Sequence, residues 1–479
     1  MHVAANGADS TSVGTYDLVV LGGGPAGEKG AAQAAYFGKR VALIDPGAGG
    51  GVVTGTLPSK ALRETALYLS GVRSRGLYGI DYSFDREISV EDLFFRQKAV
   101  ERTHVALVEE NLSQHRIEVF RGRGSLIDAQ TVRVQRADGG TATLRGRFIL
   151  VAVGSRPARP SSVPFDDERI FDTETILGLR RIPRSLVVVG AGVIGTEYAT
   201  LFAALGSAVT LVDPNARLLP FIDGEIAAAL AGEMGRAGVR ICFGRQVREI
   251  TAAAAGACVT LDDGERIEAD AALYCIGRCG NTEGLGLEAL GIALDGRGRI
   301  GVDEHYATAA PSVLAAGDVI GFPALASTSM EQARVAVCQA FGFAYKRQVS
   351  SLVPYGIYTI PELSMLGETE ETLRARGTPY CVGRGHFRRN ARGQIIGDTA
   401  GMIKLVFDPG TRRLLGVHII GERASELVHV GQMVMQHGGA IDVFIDSVFN
   451  FPTLADAYKY AAYDGLQALE GRPAGATSR

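Results

Sequence analysis

The 479-residue chain has no C-x-x-C pair anywhere. Its six cysteines, Cys242, Cys258, Cys275, Cys279, Cys338 and Cys381, make neither a redox pair nor a zinc-ligand array. Such usage suits a reducing cytoplasm. Cys275 and Cys279 lie close in sequence, but Cys275 is expected to end an apolar strand and pack, with Cys279 in the following turn. The eight histidines are scattered and suggest no metal site. A net charge of −3 leaves no electrostatic footprint for nucleic acid. No basic run points to a membrane surface, and no apolar run of roughly eighteen residues predicts a spanning helix. Met1 to Thr15 lacks the basic start and apolar run of a signal peptide and reads as a loose tail. Residues 471–479 read as a second tail. What is present is 46% hydrophobic and 21% charged, the balance of a globular protein. The length predicts about three domains.

Tyr16 to Leu21 is a short apolar run that reads as a buried strand. It enters Gly22-Gly23-Gly24-Pro25-Ala26-Gly27, a G-x-G-x-x-G, followed by an Ala-rich helical stretch from Glu28 to Phe37 and a second strand ending at Asp45. Gly22 permits the tight turn, Gly24 lets backbone approach a pyrophosphate, and Gly27 lets helix and strand pack closely. The helix start offers unpaired N–H groups to phosphate, and Asp45 stands where an acid binds a ribose hydroxyl. The unit recurs: strand Ser185 to Val189, turn Gly190-Ala191-Gly192-Val193-Ile194-Gly195, helix Thr196 to Leu205, strand Val209 to Asp213. Two such units imply two dinucleotides, and so hydride traffic between a flavin and a nicotinamide. Asp213 favours a free 2′-hydroxyl, and so NAD(H), unless a nearby arginine offsets it. Arg217 either does so or is a surface charge.

Phe148 to Pro157 is an apolar strand closing on Gly154, the exit from the first nucleotide domain. Val313 to Asp318 is another buried strand, ending in Gly317-Asp318 at the sheet edge where open α/β sheets bind ligands. The ordinary structural role for Asp318 is a helix N-cap, and the two roles are compatible.

Gly49 to Lys60 reads Gly-Gly-Gly-Val-Val-Thr-Gly-Thr-Leu-Pro-Ser-Lys. This segment resembles the G-G-x-C-x-N-x-G-C-x-P-S-K stretch of the flavoprotein disulfide reductases, the dihydrolipoamide dehydrogenase-like family. Val52 stands at or next to the first cysteine position and Thr56 at the second. Near the C-terminus, Phe451-Pro452-Thr453 and Asp456 stand where the family carries His-Pro-Thr-x-x-Glu, so Phe451 replaces the histidine that moves protons for the thiols. Within that group the chain looks most like the soluble (Si-specific) pyridine nucleotide transhydrogenases. The segments that carry this are Gly55 to Arg63, Gly277 to Thr282, Gly317 to Pro323, Ile357 to Glu362, Gly421 to Ala424 and Phe449 to Tyr458.

The resemblance implies an α/β fold with two Rossmann-like dinucleotide-binding domains plus a C-terminal α+β dimerisation domain. The expected domains are 16–159 with 283–354 for FAD, 160–282 for NAD(P), and 355–470 for the dimer interface. It implies FAD as cofactor, NAD(H) and NADP(H) sharing one pocket in turn, and a cytoplasmic homodimer without nucleic-acid or membrane partners. Lys60 is implied to lie near flavin N5, paired with Glu197, and Asp318 to bind the flavin ribitol. Thr56 is expected either to contact flavin or to cap a turn. Gly154 and Gly277 join the cofactor-binding set. The implied reaction passes hydride between NADPH and NAD⁺ through flavin N5, with no thiol relay. The alternative is an NADH-specific diaphorase reducing quinones or another small acceptor, and a third is a non-enzymatic nucleotide-binding scaffold.

Overall fold

The computed structural model describes residues 13–47, 49–71, 76–79, 87–253 and 256–471. Most of the two expected tails lies outside them. Chain contacts divide the protein into two compact units: 1–58, 97–158 and 277–350 form one, and 59–96, 159–276 and 351–479 the other.

The first unit is built on parallel strands Glu118–Arg121, Val41–Asp45, Gly14–Leu21, Thr141–Val151 and Val313–Ala315, extended by an antiparallel pair, Thr131–Gln135 and Arg123–Asp128. The first strand starts at Gly14, ahead of the expected Tyr16, because Gly14 and Thr15 pair with Leu144 and Arg145. Side chains alternate faces with the strand period of two. Leu18 and Val20 pack with Ala31 and Ala34 of helix Pro25–Tyr36 and with Ala333 and Ala336 of helix Ala326–Phe341. Val19 and Leu21 pack on the other face with Leu285 and Leu287.

The second unit holds a five-stranded parallel sheet in the order Arg240–Phe243, Ala208–Asp213, Ser185–Val189, Ala271–Tyr274, Ile170–Asp172. Leu186 and Val188 face Tyr198 and Phe202 of helix Val193–Ala204. Val187 and Val189 face Val259 and Leu261 of a three-stranded antiparallel sheet. Its C-terminal part is an antiparallel sheet in the order Tyr355–Ile357, Leu363–Gly367, Leu414–Ile420, Met402–Phe407, Cys381–His386. Strands Met402–Phe407 and Leu414–Ile420 pair antiparallel here, and helix Ala424–Gln436 follows them. Helix Ala457–Leu469 lies so close to strand Cys381–His386 that a Cβ at Gly383 would fall on the Ala461 carbonyl oxygen.

A buried ionic cluster links this C-terminal sheet to helix Gly224–Arg236. Lys404, fully buried, donates to Asp223 at 2.8 Å, Glu225 at 2.9 Å and Glu370 at 2.5 Å. Burial alone would lower its pKa, but these three acids raise it above the usual lysine value. His418 is also fully buried, with Nε2 on the Glu368 carbonyl at 2.9 Å. Burial pushes its pKa down, and Asp223 only partly opposes that. Among the described residues, no helix is long and apolar enough to cross a membrane.

Candidate active site

Both glycine-rich turns have the backbone their sequences demand. Gly22 and Gly190 adopt φ of 102° and 107°, a region that side-chain-bearing residues avoid. A Cβ on Gly27 would fall on the Gly22 carbonyl oxygen, and one on Gly195 on that of Gly190, which explains the third glycine of each motif. The middle glycines, Gly24 and Gly192, are the helix caps, and neither helix start carries a side-chain cap. Nothing lies within 4 Å of a Cβ built on Gly192, so the backbone there is open to a ligand. In the first unit, Gly24, Gly49, Val52 and His104 line a cavity of about 340 Å³. An uncapped helix start opening on such a space fits a dinucleotide pyrophosphate.

The two acids repeat one another. Asp45 accepts the Gly23 N–H at 2.8 Å and the Gly47 N–H at 3.0 Å. Burial raises its pKa against those two bonds. Asp213 accepts the Ala191 N–H at 2.5 Å, and both the backbone N–H and side-chain amide of Asn215 at 2.8 and 2.7 Å. Both acids are buried, and each ties its glycine turn across 22 residues of chain. Arg217 is occupied elsewhere: it donates to Glu371 at 3.2 Å and to the Pro220 carbonyl at 2.7 Å.

Asp318 does not cap its helical turn Asp318–Ile320; Gly317 is the cap residue. Its carboxylate accepts the Ser155 hydroxyl at 3.0 Å, and Arg278 donates to that hydroxyl at 2.8 Å and to the Ser155 carbonyl at 2.7 Å. Gly154 has φ 70°, with nothing within 4 Å of a Cβ built on it. Gly277 has φ 87° and accepts the Ala158 N–H at 3.1 Å. Cys279 corrects the expectation of a turn: it lies in strand Arg278–Gly280, paired antiparallel with Ser155–Pro157. Cys275 directly follows strand Ala271–Tyr274, where burial pushes its thiol pKa far up. Ser155 and Arg278 were not singled out as site residues. Each directly follows a glycine of the cofactor-binding set, Gly154 and Gly277, but only the strand pairing brings them together.

Val52–Thr56 forms a π-helical turn that runs directly into helix Leu57–Ser70. Such turns concentrate at functional sites. Val52 is buried and Thr56, its last residue, is exposed. In the second unit, Lys60 donates to Glu197 at 2.7 Å, with side chains 26% and 7% exposed. The other oxygen of Glu197 accepts the Tyr358 N–H at 2.8 Å, and the Lys60 ammonium lies 5.0 Å from the Tyr358 ring centre. The pairing of Lys60 with Glu197 is therefore present, and Tyr358 is a member the sequence did not single out. The C-terminal Phe451 is 76% exposed, and Asp456 immediately precedes helix Ala457–Leu469 without capping it.

The family profile described as pyridine nucleotide-disulphide oxidoreductase matches residues 16–340, and its dimerisation domain matches 353–462. A soluble pyridine nucleotide transhydrogenase of Mycobacterium bovis is 46% identical over 458 residues, covering 95% of this chain and 98% of that protein. One from Hahella chejuensis is 42% identical over 460 residues, covering 95% and 99%. The fold is similar to that of LpdA from Mycobacterium tuberculosis, with TM-score 0.87 and 29% identity over 94% of this chain and 99% of that one. It is also similar to a copper(II) complex of the flavoprotein disulfide reductase RclA from Escherichia coli, with TM-score 0.85 and 27% identity over 94% and 99%. With both glycine-turn units and the C-terminal domain accounted for along its length, the chain belongs to the pyridine nucleotide-disulphide oxidoreductase family.

Proposed function

We propose that this chain is a FAD-dependent oxidoreductase that transfers hydride between NADPH and NAD⁺ without a redox-active disulfide. The observation that carries the reading is the turn Val52–Thr56, where the resemblance puts Val52 at or next to the first thiol position and Thr56 at the second. Relatives named soluble pyridine nucleotide transhydrogenase, at 42% to 46% identity over nearly the whole chain, support it. FAD, when bound, supplies an N5 that takes hydride from one nicotinamide and returns it to the other.

The residues hold and orient. Gly22, Gly24, Gly27 and Asp45, with Gly154 and Asp318, form the FAD site. Gly190, Gly192, Gly195 and Asp213 form the site that NAD(H) and NADP(H) occupy in turn, and Gly277 is a further cofactor-binding residue. Lys60, oriented by Glu197, would offer a fixed positive charge to a bound flavin. Thr56 would either contact the flavin, without taking electrons, or cap its turn. No protein acid or base is needed, and Phe451 cannot act as one. The working organisation is an FAD domain of 16–159 with 283–354, an NAD(P) domain of 160–282, and an interface domain of 355–470. We place the protein in the cytoplasm as a homodimer.

The test is anaerobic reduction of the purified, flavin-loaded protein by NADPH, followed by addition of NAD⁺, with the flavin absorbance followed throughout. Bleaching by NADPH and recovery with NAD⁺ is expected. Failure of NADPH to bleach it, with NADH still effective, overturns the transhydrogenase reading.

A further inference from the structure

The nicotinamide fingerprint is bordered by two arginines, and acids hold both. The loop after Asp213 folds back on the glycine turn, where the Leu219 N–H donates to the Ala191 carbonyl at 3.4 Å. Leu219 is fully buried with φ 44°, so the path of this loop is fixed against backbone preference. Arg217 sits in that loop. Its guanidinium spans Glu371 and the Pro220 carbonyl. Glu371 also accepts the Gly224 N–H at 3.0 Å, which fixes the carboxylate at the start of helix Gly224–Arg236. The second arginine, Arg245, donates its backbone N–H to the Asp213 carbonyl at 3.2 Å, while its side chain pairs with Asp262 at 3.2 Å and with Asp263.

A free 2′-hydroxyl can donate to Asp213, an acceptor of hydrogen bonds. A 2′-phosphate brings further negative charge to a rim whose cations are already neutralised. We infer that Glu371 is a positioning residue for nucleotide choice: it holds Arg217 away from the 2′ end of the nucleotide. Binding of NADP(H) then requires Arg217 to exchange Glu371 for the phosphate. The exchange is feasible because the Arg217 and Glu371 side chains are 36% and 39% exposed, and ion pairs so exposed are weak. The guanidinium fork suits a phosphate at least as well as a carboxylate. The inference rests on the transhydrogenase reading and makes NADP(H) the more weakly held of its two substrates.

The experiment measures flavin reduction by NADH and by NADPH in the wild type, Glu371→Gln, Arg217→Ala and the double variant. Glu371→Gln keeps an acceptor for the Gly224 N–H but frees the arginine. It is expected to raise the NADPH-to-NADH ratio of kcat/KM about two- to fivefold, the strength of an exposed ion pair, with the change in KM for NADPH rather than in kcat. Arg217→Ala is expected to lower that ratio about tenfold, and the double variant to show no gain over Arg217→Ala. If NADPH reduces the wild type but Glu371→Gln leaves the ratio unmoved, the role of Glu371 falls while the transhydrogenase reading stands. If NADPH reduces none of the four proteins, both fall. Should Glu371→Gln fail to fold, an unchanged ratio in Arg217→Ala alone overturns the inference.

Discussion

Glu197 is the residue through which Lys60 is held. With one oxygen on the ammonium and the other on the Tyr358 N–H, its carboxylate cannot rotate away without losing both bonds. That fixes a cation on the helix that follows the turn Val52–Thr56. Replacing Lys60 by alanine is expected to leave flavin bound and to slow its reduction about 10- to 100-fold, the usual cost of losing one preorganised electrostatic partner. Stopped-flow absorbance checks this, and wild-type rates in Lys60→Ala would remove Lys60 from the mechanism. The pairing of Lys60 with Glu197, 137 residues apart, was legible only because the family resemblance implied it. Tyr358 was not, since its contact with Glu197 bridges 161 residues. The same distance problem hid the partner of Arg217, which lies 154 residues away.

At the scale of elements, the strand–turn–helix units were readable because each glycine answers a backbone demand that other residues cannot meet. Short strands were less readable. Cys279 lies between Gly277 and Gly280, which signal a turn, yet its backbone is recruited by Ser155–Pro157, far earlier in the chain. Gly195→Ala would drive a methyl group into the Gly190 carbonyl and separate helix from strand in the second unit. The purified variant is expected to keep its flavin colour, because the first unit is untouched, and to lose most reduction by both nicotinamides. Full retention of NADH reduction would contradict the close-packing role. The C-terminal sheet carries a pH dependence of its own. His418 faces Asp223, Lys404 and Glu371, and burial lowers its pKa below the ordinary value near 6.5. An unfolded chain therefore takes up this proton first. The contribution of His418 to stability is complete above about pH 6.5 and is lost as pH falls from there through its folded value. Urea midpoints at pH 8 and pH 5.5 are expected to differ less in His418→Gln than in the wild type, and equal differences would show that His418 does not titrate in this way.

At the scale of the whole molecule, the fold class was legible because two fingerprints and a C-terminal domain leave few alternatives for a chain this long. The identity of the second hydride partner was less legible, because Asp213 speaks for NAD(H) and the partner that holds Arg217 comes from a distant segment. The match to a dimerisation domain over residues 353–462 predicts a native mass twice that of the 50.5 kDa chain. Sedimentation at micromolar concentration checks this, and a stable, active species of single-chain mass would reject the homodimer. A last consequence follows from the two acid clamps. Asp45 and Asp213 grip their turns through bonds internal to the chain, so both phosphate loops are ordered before any nucleotide arrives. Little conformational entropy is then lost when a nucleotide docks. The glycine turn that the nicotinamide nucleotides meet in every turnover therefore does not have to be rebuilt each time, even where Arg217 at its rim must change partners.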